Sequence, residues 1–288
     1  MAEMLMRVFR HYSGVGEVTS ASDANYPSLS PNNTNNNTNT DNNNTNKSSS
    51  CVVLGEAGCG KTALLFLSAV ITASEFGVRV LFLSRTPIHT LPAPLQGARA
   101  GVDLLSLKKI QFKYPRSAVD LLRDVASLHE NDKTLPSLIV IDGLDQYLHS
   151  VGDHSQQSLI AARLSALLAD TASFVSQKLT SARSDGGSGN APQECQVIIS
   201  LNAEAGDESP ARGRALSVIE RYFPAKCLLE REPECGDTAW RVCFSGALQS
   251  SCDLVMGWRL MYSQSGAMEF HAVPGGKLSN PGEFNDSS

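Results

Sequence analysis

Residues 55–62 of the chain read Gly55-Glu56-Ala57-Gly58-Cys59-Gly60-Lys61-Thr62, and they indicate the fold more clearly than any other segment. This segment matches the pattern G-x-x-x-x-G-K-[ST] at every fixed position. It lies between an apolar run that ends at Leu54 and a helical run that begins at Ala63. Glycines let such a loop curl so that backbone N–H groups point at phosphate oxygens, and the helix start adds a positive dipole. All eight residues are therefore candidates for nucleotide binding.

The chemistry of this motif also predicts roles for its last two residues. Lys61 is expected to reach the β- and γ-phosphates, and the Thr62 hydroxyl is expected to ligate Mg²⁺. ATP and Mg²⁺ are accordingly the expected cofactors. A glycine-rich turn that matches by chance is the competing interpretation, and the flanking strand and helix patterns argue against it.

A second motif is Leu138-Ile139-Val140-Ile141-Asp142, four apolar residues that end in an acid. An Asp at the carboxyl end of a core strand holds the magnesium shell, usually through water. We therefore predict Asp142 as a metal-site residue and, with Lys61, as a catalytic residue. Asp145 and Tyr147 follow closely. Either residue could face the site, but a helix cap and a surface aromatic are the expected roles.

Another apolar run, Gln196 to Leu201, ends in Asn202. A polar amide in this place can sense the γ-phosphate and pass its state to the following loop. Asn is also an ordinary residue at the end of a strand. Both interpretations of Asn202 stay open.

Apolar runs and helical patterns alternate along most of the chain. Alternating strands and helices predict an α/β fold, a mostly parallel sheet flanked by helices, with ligands beyond the carboxyl ends of the strands. The last part carries β signals only, which predicts an antiparallel extension. Strands are expected at 51–54, 78–83, 107–114, 138–142, 196–201, 226–230, 239–245, 254–262 and 267–272, and helices at 61–76, 117–129, 155–179 and 214–222.

Composition sets the domain limits. The 288 residues, 42% hydrophobic, suffice for one sizeable core. Residues 1–49 are expected to be a disordered, low-complexity tail, because Pro31 to Asn46 is almost only Asn and Thr. Within it, Met4 to Arg10 has the pattern of a short amphipathic segment, with a disordered start as the alternative. The folded domain is expected at 50–273, and 274–288 is expected to be a flexible tail.

The chain resembles the SWIM-type zinc-finger-associated ATPases, the RecA-like subunits of the vertebrate Shu complex. The segments that carry the resemblance span roughly residues 50 to 230. The likeness implies a RecA-like P-loop NTPase core. The segments that carry the resemblance are Gly60 to Phe66, Val80 to Arg85, Leu107 to Pro115, Asp142 to Leu148 and Arg221 to Cys227.

The resemblance also implies a biological setting. Members of that family are expected to be nuclear and to act in homologous recombination repair as DNA-stimulated ATPases. The implied partners are a SWIM-type zinc-finger protein, a recombinase with its paralogues, and single-stranded DNA. No membrane association is expected, because no apolar run in the sequence reaches the length of a membrane span.

One feature departs from the RecA pattern. Hydrolysis needs a group that orients or deprotonates water, and RecA-type ATPases place a carboxylate for this at the end of the strand after the phosphate-loop helix. Here that strand ends in Ser84-Arg85-Thr86, with no acid. Glu56 and Asp145 are poor substitutes geometrically. We therefore expect slow turnover, or turnover completed by a partner or by DNA.

DNA contact requires a local cationic patch, because the net charge is −5. One candidate patch interleaves cations with Phe112 and Tyr114, and a second flanks the segment after Asn202. The alternative for the first patch is the solvated face of an edge strand with aromatics in the core. The candidate DNA-binding residues are Lys108, Lys109, Lys113, Arg212 and Arg214.

Two other functions compete with the ATPase interpretation. A non-hydrolysing module that uses ATP to hold a partner interface fits the acid-free end of the second strand. A small-molecule P-loop kinase would use Arg212, Arg214 and Arg221 as a lid. The β-rich end of the chain disfavours the kinase, since such kinases end in helices.

Overall fold

The computed structural model describes residues 3–13, 50–92, 95, 104–130, 134–149, 153–183, 194–202, 210–232, 238–245, 257–263 and 268–273. The Asn/Thr tract, residues 93–94 and 96–103, and the expected tail 274–288 lie outside these ranges. The predictions made for those segments therefore remain predictions.

The described strands form one mixed sheet in the order β3-β2-β4-β5-β1-β6-β7-β8-β9. Neighbours from β3 to β6 are parallel, and the pairs from β6 to β9 are antiparallel. This confirms the predicted fold class, including the antiparallel extension. The strands are β1 (Cys51–Gly55), β2 (Val80–Ser84), β3 (Ile110–Lys113), β4 (Leu138–Asp142), β5 (Gln196–Asn202), β6 (Ala225–Arg231), β7 (Ala239–Ser245), β8 (Gly257–Tyr262) and β9 (Met268–Val273).

Helices cover both faces of the parallel part. In β1, Cys51 and Val53 pack in one apolar cluster with α2, while Val52 and Leu54 pack in a second cluster with α4 to α7. Alternate side chains of a strand point to opposite faces, so this sheet is buried on both sides. The helices are α1 (Glu3–Ser13), α2 (Lys61–Glu75), α3 (Leu104–Leu107), α4 (Ala118–Ala126) with a following 3-10 turn (Ser127–Glu130), α5 (Leu144–His149), α6 (His154–Arg183) and α7 (Pro210–Tyr222).

The structure corrects the expectation of a disordered tail for the residues of α1. Leu5, Val8 and Phe9 are fully buried and belong to the first apolar cluster. The Phe9 ring lies 5.3 Å from Phe270 and 5.7 Å from Trp258, between ring centroids. The amphipathic pattern at Met4 to Arg10 is therefore a helix, because the C-terminal strands supply an aromatic surface that covers its apolar face.

Several boundaries differ from the predicted ones. Gly77, at φ 65°, follows the end of α2, and β2 begins only at Val80. The residues that lead into β3 form the short helix α3 rather than strand. Helix α5 was not predicted at all, because six residues are too few to show a helical period.

Helix α6, predicted over 155–179, is the longest of the described helices. Its segment Ser155–Ser181 is long and apolar enough to cross a membrane by length and composition alone. Its fully buried side chains, which include Leu164 and Leu168, pack in the second apolar cluster beside the sheet. The buried apolar residues of α6 are therefore explained by their packing against one face of the sheet.

Candidate active site

The phosphate loop leaves the carboxyl end of β1 and leads into α2. Gly58 and Gly60 have φ angles of 80° and 88°, in the left-handed region that favours glycine. A Cβ added to Gly58 would meet no atom within 4 Å, so the loop is open on that side. The N–H of Leu64 donates to the carbonyl of Gly60 at 3.0 Å, which starts the helix directly at the loop.

Lys61 is held inside this loop and is only 7% exposed. Its Nζ donates to the carbonyl oxygens of Gly55 at 2.8 Å and Glu56 at 2.5 Å, and lies 3.4 Å from the Cys59 Sγ. An ammonium group can exchange such carbonyls for phosphate oxygens at little cost, because both are hydrogen-bond acceptors. The geometry supports the predicted phosphate-binding role of Lys61.

The Cys59 side chain faces the protein interior rather than solvent. Cys59 is fully buried, and burial raises the pKa of its thiol, although the nearby Lys61 ammonium opposes that shift. A Cβ on Gly55 would stand 2.7 Å from the Cys59 Sγ. Within the loop, Cys59 thus acts as a packing residue, and Gly55 leaves the room that it occupies.

Asp142 lies at the end of β4, and each of its carboxylate oxygens accepts a hydrogen bond from a hydroxyl group. Thr62 Oγ1 donates to Oδ2 and Ser200 Oγ donates to Oδ1, both at 2.8 Å. Ser200 also accepts the backbone N–H of Gly143 at 2.8 Å. Burial raises the pKa of Asp142, and the hydrogen bonds from Thr62 and Ser200 lower it and so favour the charged form.

These groups fit a magnesium ion. The Thr62 hydroxyl and the Asp142 carboxylate are both hard oxygen donors, and they already lie within hydrogen-bond distance of each other. A divalent cation between them would favour the ionised carboxylate that burial disfavours. The structure thus brings together the two residues predicted for the metal. Ser200 joins them, although no sequence motif pointed to it.

Asp145 and Asn202 form a second pair beside this site. The Asp145 carboxylate accepts the backbone N–H of Asn202 at 3.1 Å and its side-chain Nδ2 at 2.9 Å. Asp145 is 5% exposed, and Tyr147 is fully buried. The expected roles of a helix cap for Asp145 and a surface aromatic for Tyr147 are both wrong, because α5 turns these side chains toward the core.

The end of β2 carries no acid, as the sequence indicated. Ser84 pairs in register with Asp142, and its hydroxyl donates to the carbonyl of Thr86 at 2.9 Å. The guanidinium of Arg85 donates to the carbonyl of Gln146 at 2.8 Å. Both side chains at this position are hydrogen-bond donors, so neither replaces a carboxylate that accepts a proton from water.

Tyr262, at the end of β8, lies against the phosphate loop. A Cβ added to Gly60 would stand 1.6 Å from the Tyr262 hydroxyl, so only glycine leaves room for this ring. Burial raises the pKa of Tyr262 to about 12, which keeps the phenol neutral. Trp240 supports the ring edge-on, with centroids 5.4 Å apart. No sequence signal links Tyr262 to the loop, because the two are brought together only by the sheet.

The first group of candidate DNA contacts does not form one surface. Lys108 and Lys109 precede β3 and lie at the amino edge of the parallel sheet, opposite the phosphate loop. Lys113, at the other end of β3, pairs with Asp124 at 2.9 Å. The Phe112 ring packs against Phe66 and Phe82, at 5.7 and 5.5 Å between centroids.

The second group lies on α7. This helix starts after β5 and leads to β6, and both strands are parallel to β1, so its first turns lie toward the carboxyl edge of the sheet. Arg214 is exposed there. The backbone of Arg212 belongs to the same helix, and its side chain lies outside the described residues.

The strand order and this site define a RecA-like P-loop ATPase. A solved structure of the KaiC-like protein PH0186 from Pyrococcus horikoshii OT3 has the same fold, with a TM-score of 0.52 at 14% identity. The match covers 78% of this chain and 89% of that chain. No family model matches the sequence.

Sequence relatives narrow the class further. The human protein ATPase SWSAP1 is 38% identical over 195 residues, which cover 67% of this chain and 76% of the human protein. The mouse ATPase SWSAP1 is 37% identical over 179 residues, which cover 62% of this chain and 58% of the mouse protein. The chain belongs to the SWSAP1 family of ATPases.

Proposed function

We propose that this ATPase turns over slowly on its own and is stimulated by single-stranded DNA or by a partner. In this proposal it supports recombinase filaments during homologous recombination repair in the nucleus. Its partners are a SWIM-type zinc-finger protein and a recombinase with its paralogues. Family membership favours ATP hydrolysis over the non-hydrolysing module and the small-molecule kinase considered from the sequence.

The proposal of slow, stimulated turnover rests on the residue at the end of β2. The position of β2 that pairs with Asp142 is Ser84, whose hydroxyl is engaged by a backbone carbonyl. The phosphate loop, Thr62 and Asp142 form the proposed nucleotide and metal site, while the described end of β2 carries no carboxylate that would activate water. An additional group, or a shift of the existing ones, is then needed for efficient hydrolysis.

Each residue of the proposed site has its own role in binding the nucleotide or the metal. The loop backbone and Lys61 bind the triphosphate, and Thr62 and Asp142 hold Mg²⁺, which supplies charge neutralisation at the reacting phosphate. Ser200 orients the Asp142 carboxylate, because the Ser200 hydroxyl donates a hydrogen bond to Asp142 Oδ1. Asp145 keeps the Asn202 amide at the same edge of the sheet, where it can respond to the γ-phosphate.

The proposed DNA contact of this edge uses α7. Asn202 is the last residue of β5, and the chain continues from it to Arg212 and Arg214 at the start of α7. In this proposal, a change in the position of Asn202 is passed along the chain to the segment that carries both arginines. This supports coupling between ATP and DNA in the present proposal.

Phosphate release by the purified protein tests the proposal. Wild type and Lys61→Ala are compared with and without single-stranded DNA, and Lys178→Ala, an exposed lysine on α6, is the matched control. We expect DNA-stimulated release that Lys61→Ala abolishes and Lys178→Ala retains. Tight ATP binding without release under any condition would instead identify the interaction module, and release that depends on a metabolite would identify the kinase.

The DNA contact has its own test. The double variant Arg212→Ala/Arg214→Ala is expected to weaken binding of a single-stranded oligonucleotide. The slope of log affinity against log salt should fall by about 1.4, since each phosphate contact to a single strand contributes about 0.7. Unchanged affinity and slope would remove these two residues from the proposal.

A further inference from the structure

A cationic cleft lies at the amino edge of the parallel sheet, away from the phosphate loop. Its volume is about 370 Å³. Five of its lining residues carry charged or polar side chains, and Leu128 and Pro136 add an apolar wall. The five are Arg79, Lys108, Lys109, Gln111 and Thr134.

Strand register explains why these cations meet. Arg79 immediately precedes β2, and Lys108 and Lys109 immediately precede β3. The two strands are parallel neighbours with Val80 opposite Ile110, so the residues before both strands reach the same edge. The phosphate loop follows the carboxyl end of β1 and lies at the opposite edge.

The charge of this cleft is not neutralised by the described part of the chain. Within it, no carboxylate lies within 4 Å of the charged groups of Arg79, Lys108 or Lys109, whereas Lys113 and Lys226 each pair with an acid. Arg79 and Lys108 are exposed, and Lys109 is half-buried. Three cations that converge without acidic partners favour an anionic ligand.

Lys109 lies close to the C-terminal end of α2. Its Nζ lies 3.2 Å from the position of a Cβ on Gly77, just after the end of α2. The C-terminal end of a helix carries partial negative charge and stabilises a nearby cation. The helix end therefore favours an ammonium group at this side of the cleft.

We propose that this cleft binds a nucleotide unit of single-stranded DNA, as a site separate from the ATP site. The cations suit the phosphate, Gln111 and Thr134 offer hydrogen bonds to base or sugar, and the apolar wall suits the face of a base. An acidic peptide would use the cations and leave the apolar wall without a role. The inference rests on the proposed binding of single-stranded DNA and adds a second surface to it.

Oligonucleotide binding across a salt series tests the cleft. The triple variant Arg79→Ala/Lys108→Ala/Lys109→Ala is compared with Arg10→Ala/Arg163→Ala/Lys178→Ala, which removes the same charge from exposed positions elsewhere. We expect weaker binding and a salt slope lower by about 2 only for the cleft variant, from three contacts of about 0.7 each. The same loss is expected in the Lys61→Ala background, because the two sites lie at opposite edges.

Two further measurements complete the test. The variant Arg79→Lys/Lys108→Arg/Lys109→Arg keeps the charge and should retain binding, which separates loss of contact from loss of folding. Wild-type affinity and slope in the cleft variant would overturn the inference and leave the α7 arginines in the proposed function. Failure of wild type to bind single-stranded DNA would overturn both, and equal competition by an acidic peptide would assign the cleft to a protein partner.

Discussion

Asn202 is bound to Asp145 by two hydrogen bonds, one from its backbone N–H and one from its side-chain amide. The pair joins the last residue of β5 to the first turn of α5, next to the strand that ends in Asp142. Because Asp145 is almost completely buried, these hydrogen bonds offset the cost of removing its carboxylate from water. The orientation of the Asn202 amide is thus set by an acid that lies 57 residues earlier in the chain.

Asp145→Ala is therefore expected to slow ATP hydrolysis more than it weakens ATP binding. Loss of the carboxylate frees the Asn202 amide, and misplacement of a positioned group costs up to about a hundredfold in rate. Phosphate release and binding of a fluorescent ATP analogue measure the two effects. Asp153→Ala is the control, since the Asp153 carboxylate also accepts two N–H groups, those of Ser155 and Gln156, but at the start of α6. Equal effects on rate from both variants would contradict the role of Asp145.

Ser200 offers a sharp test through a matched serine. Ser200→Ala removes a hydrogen bond to Asp142 and leaves the Gly143 N–H without its acceptor, so we expect a loss of about 1–3 kcal/mol in the free energy of unfolding. Ser165 is equally buried, and among the described residues its hydroxyl has no hydrogen-bond partner. Ser165→Ala should be neutral or stabilising. Urea denaturation compares them, and equal losses would show that the Ser200 bonds contribute nothing specific.

The contact between Gly60 and Tyr262 predicts coupling. Gly60→Ala forces a left-handed residue to carry a Cβ, at about 1–2 kcal/mol, and adds a clash with the Tyr262 ring. Gly58→Ala carries the first cost only, because no atom lies near its Cβ. We expect Gly60→Ala to be the more destabilising change, and Tyr262→Ala to relieve part of it. A double-mutant cycle by thermal unfolding measures this, and strict additivity would exclude the contact.

Glu232 makes the C-terminal extension sensitive to acid. Hydrogen bonds from Arg259 and Arg241 lower the pKa of Glu232 to about 2 from its usual 4.5. A depressed pKa adds stability that is present above about 4.5 and is lost as the pH falls toward 2. Glu232→Gln should therefore be less stable at neutral pH and should lose less stability on acidification.

Urea unfolding between neutral pH and pH 3 measures the Glu232 effect. Glu269→Gln is the control, because the Glu269 side chain is 54% exposed and pairs only with His271 among the described residues. Parallel pH profiles for wild type and Glu232→Gln would mean that the two arginines do not stabilise the charged form.

The sequence predicts those parts of the site whose residues are close together in the chain. The phosphate loop and Asp142 are recognisable because each motif is local and its flanking strand and helix are visible. Ser200 and Tyr262 escape notice because their partners lie far away in the chain and are joined to them only by strand order. Lys108 and Lys113 looked like one patch for the opposite reason, since a strand carries nearby residues to different edges of a sheet.

The same reasoning explains α1. Its amphipathic pattern is short, and the surface that covers it combines α2 with β8 and β9 from the other end of the described chain. From sequence, a helix of this kind is indistinguishable from a segment without a partner. The prediction of a disordered start was wrong for the residues of α1, because it rested on the composition of the Asn-rich segment that follows them.

The docking of α1 on β9 has a consequence for biosynthesis. The helix is synthesised long before Trp258 and Phe270, whose rings pack against Phe9. At typical elongation rates of about 5–20 residues per second, its apolar face waits on the order of ten seconds or more for them. During that interval Phe9 lacks these two aromatic partners, so this part of the core is completed only after β9 has been synthesised.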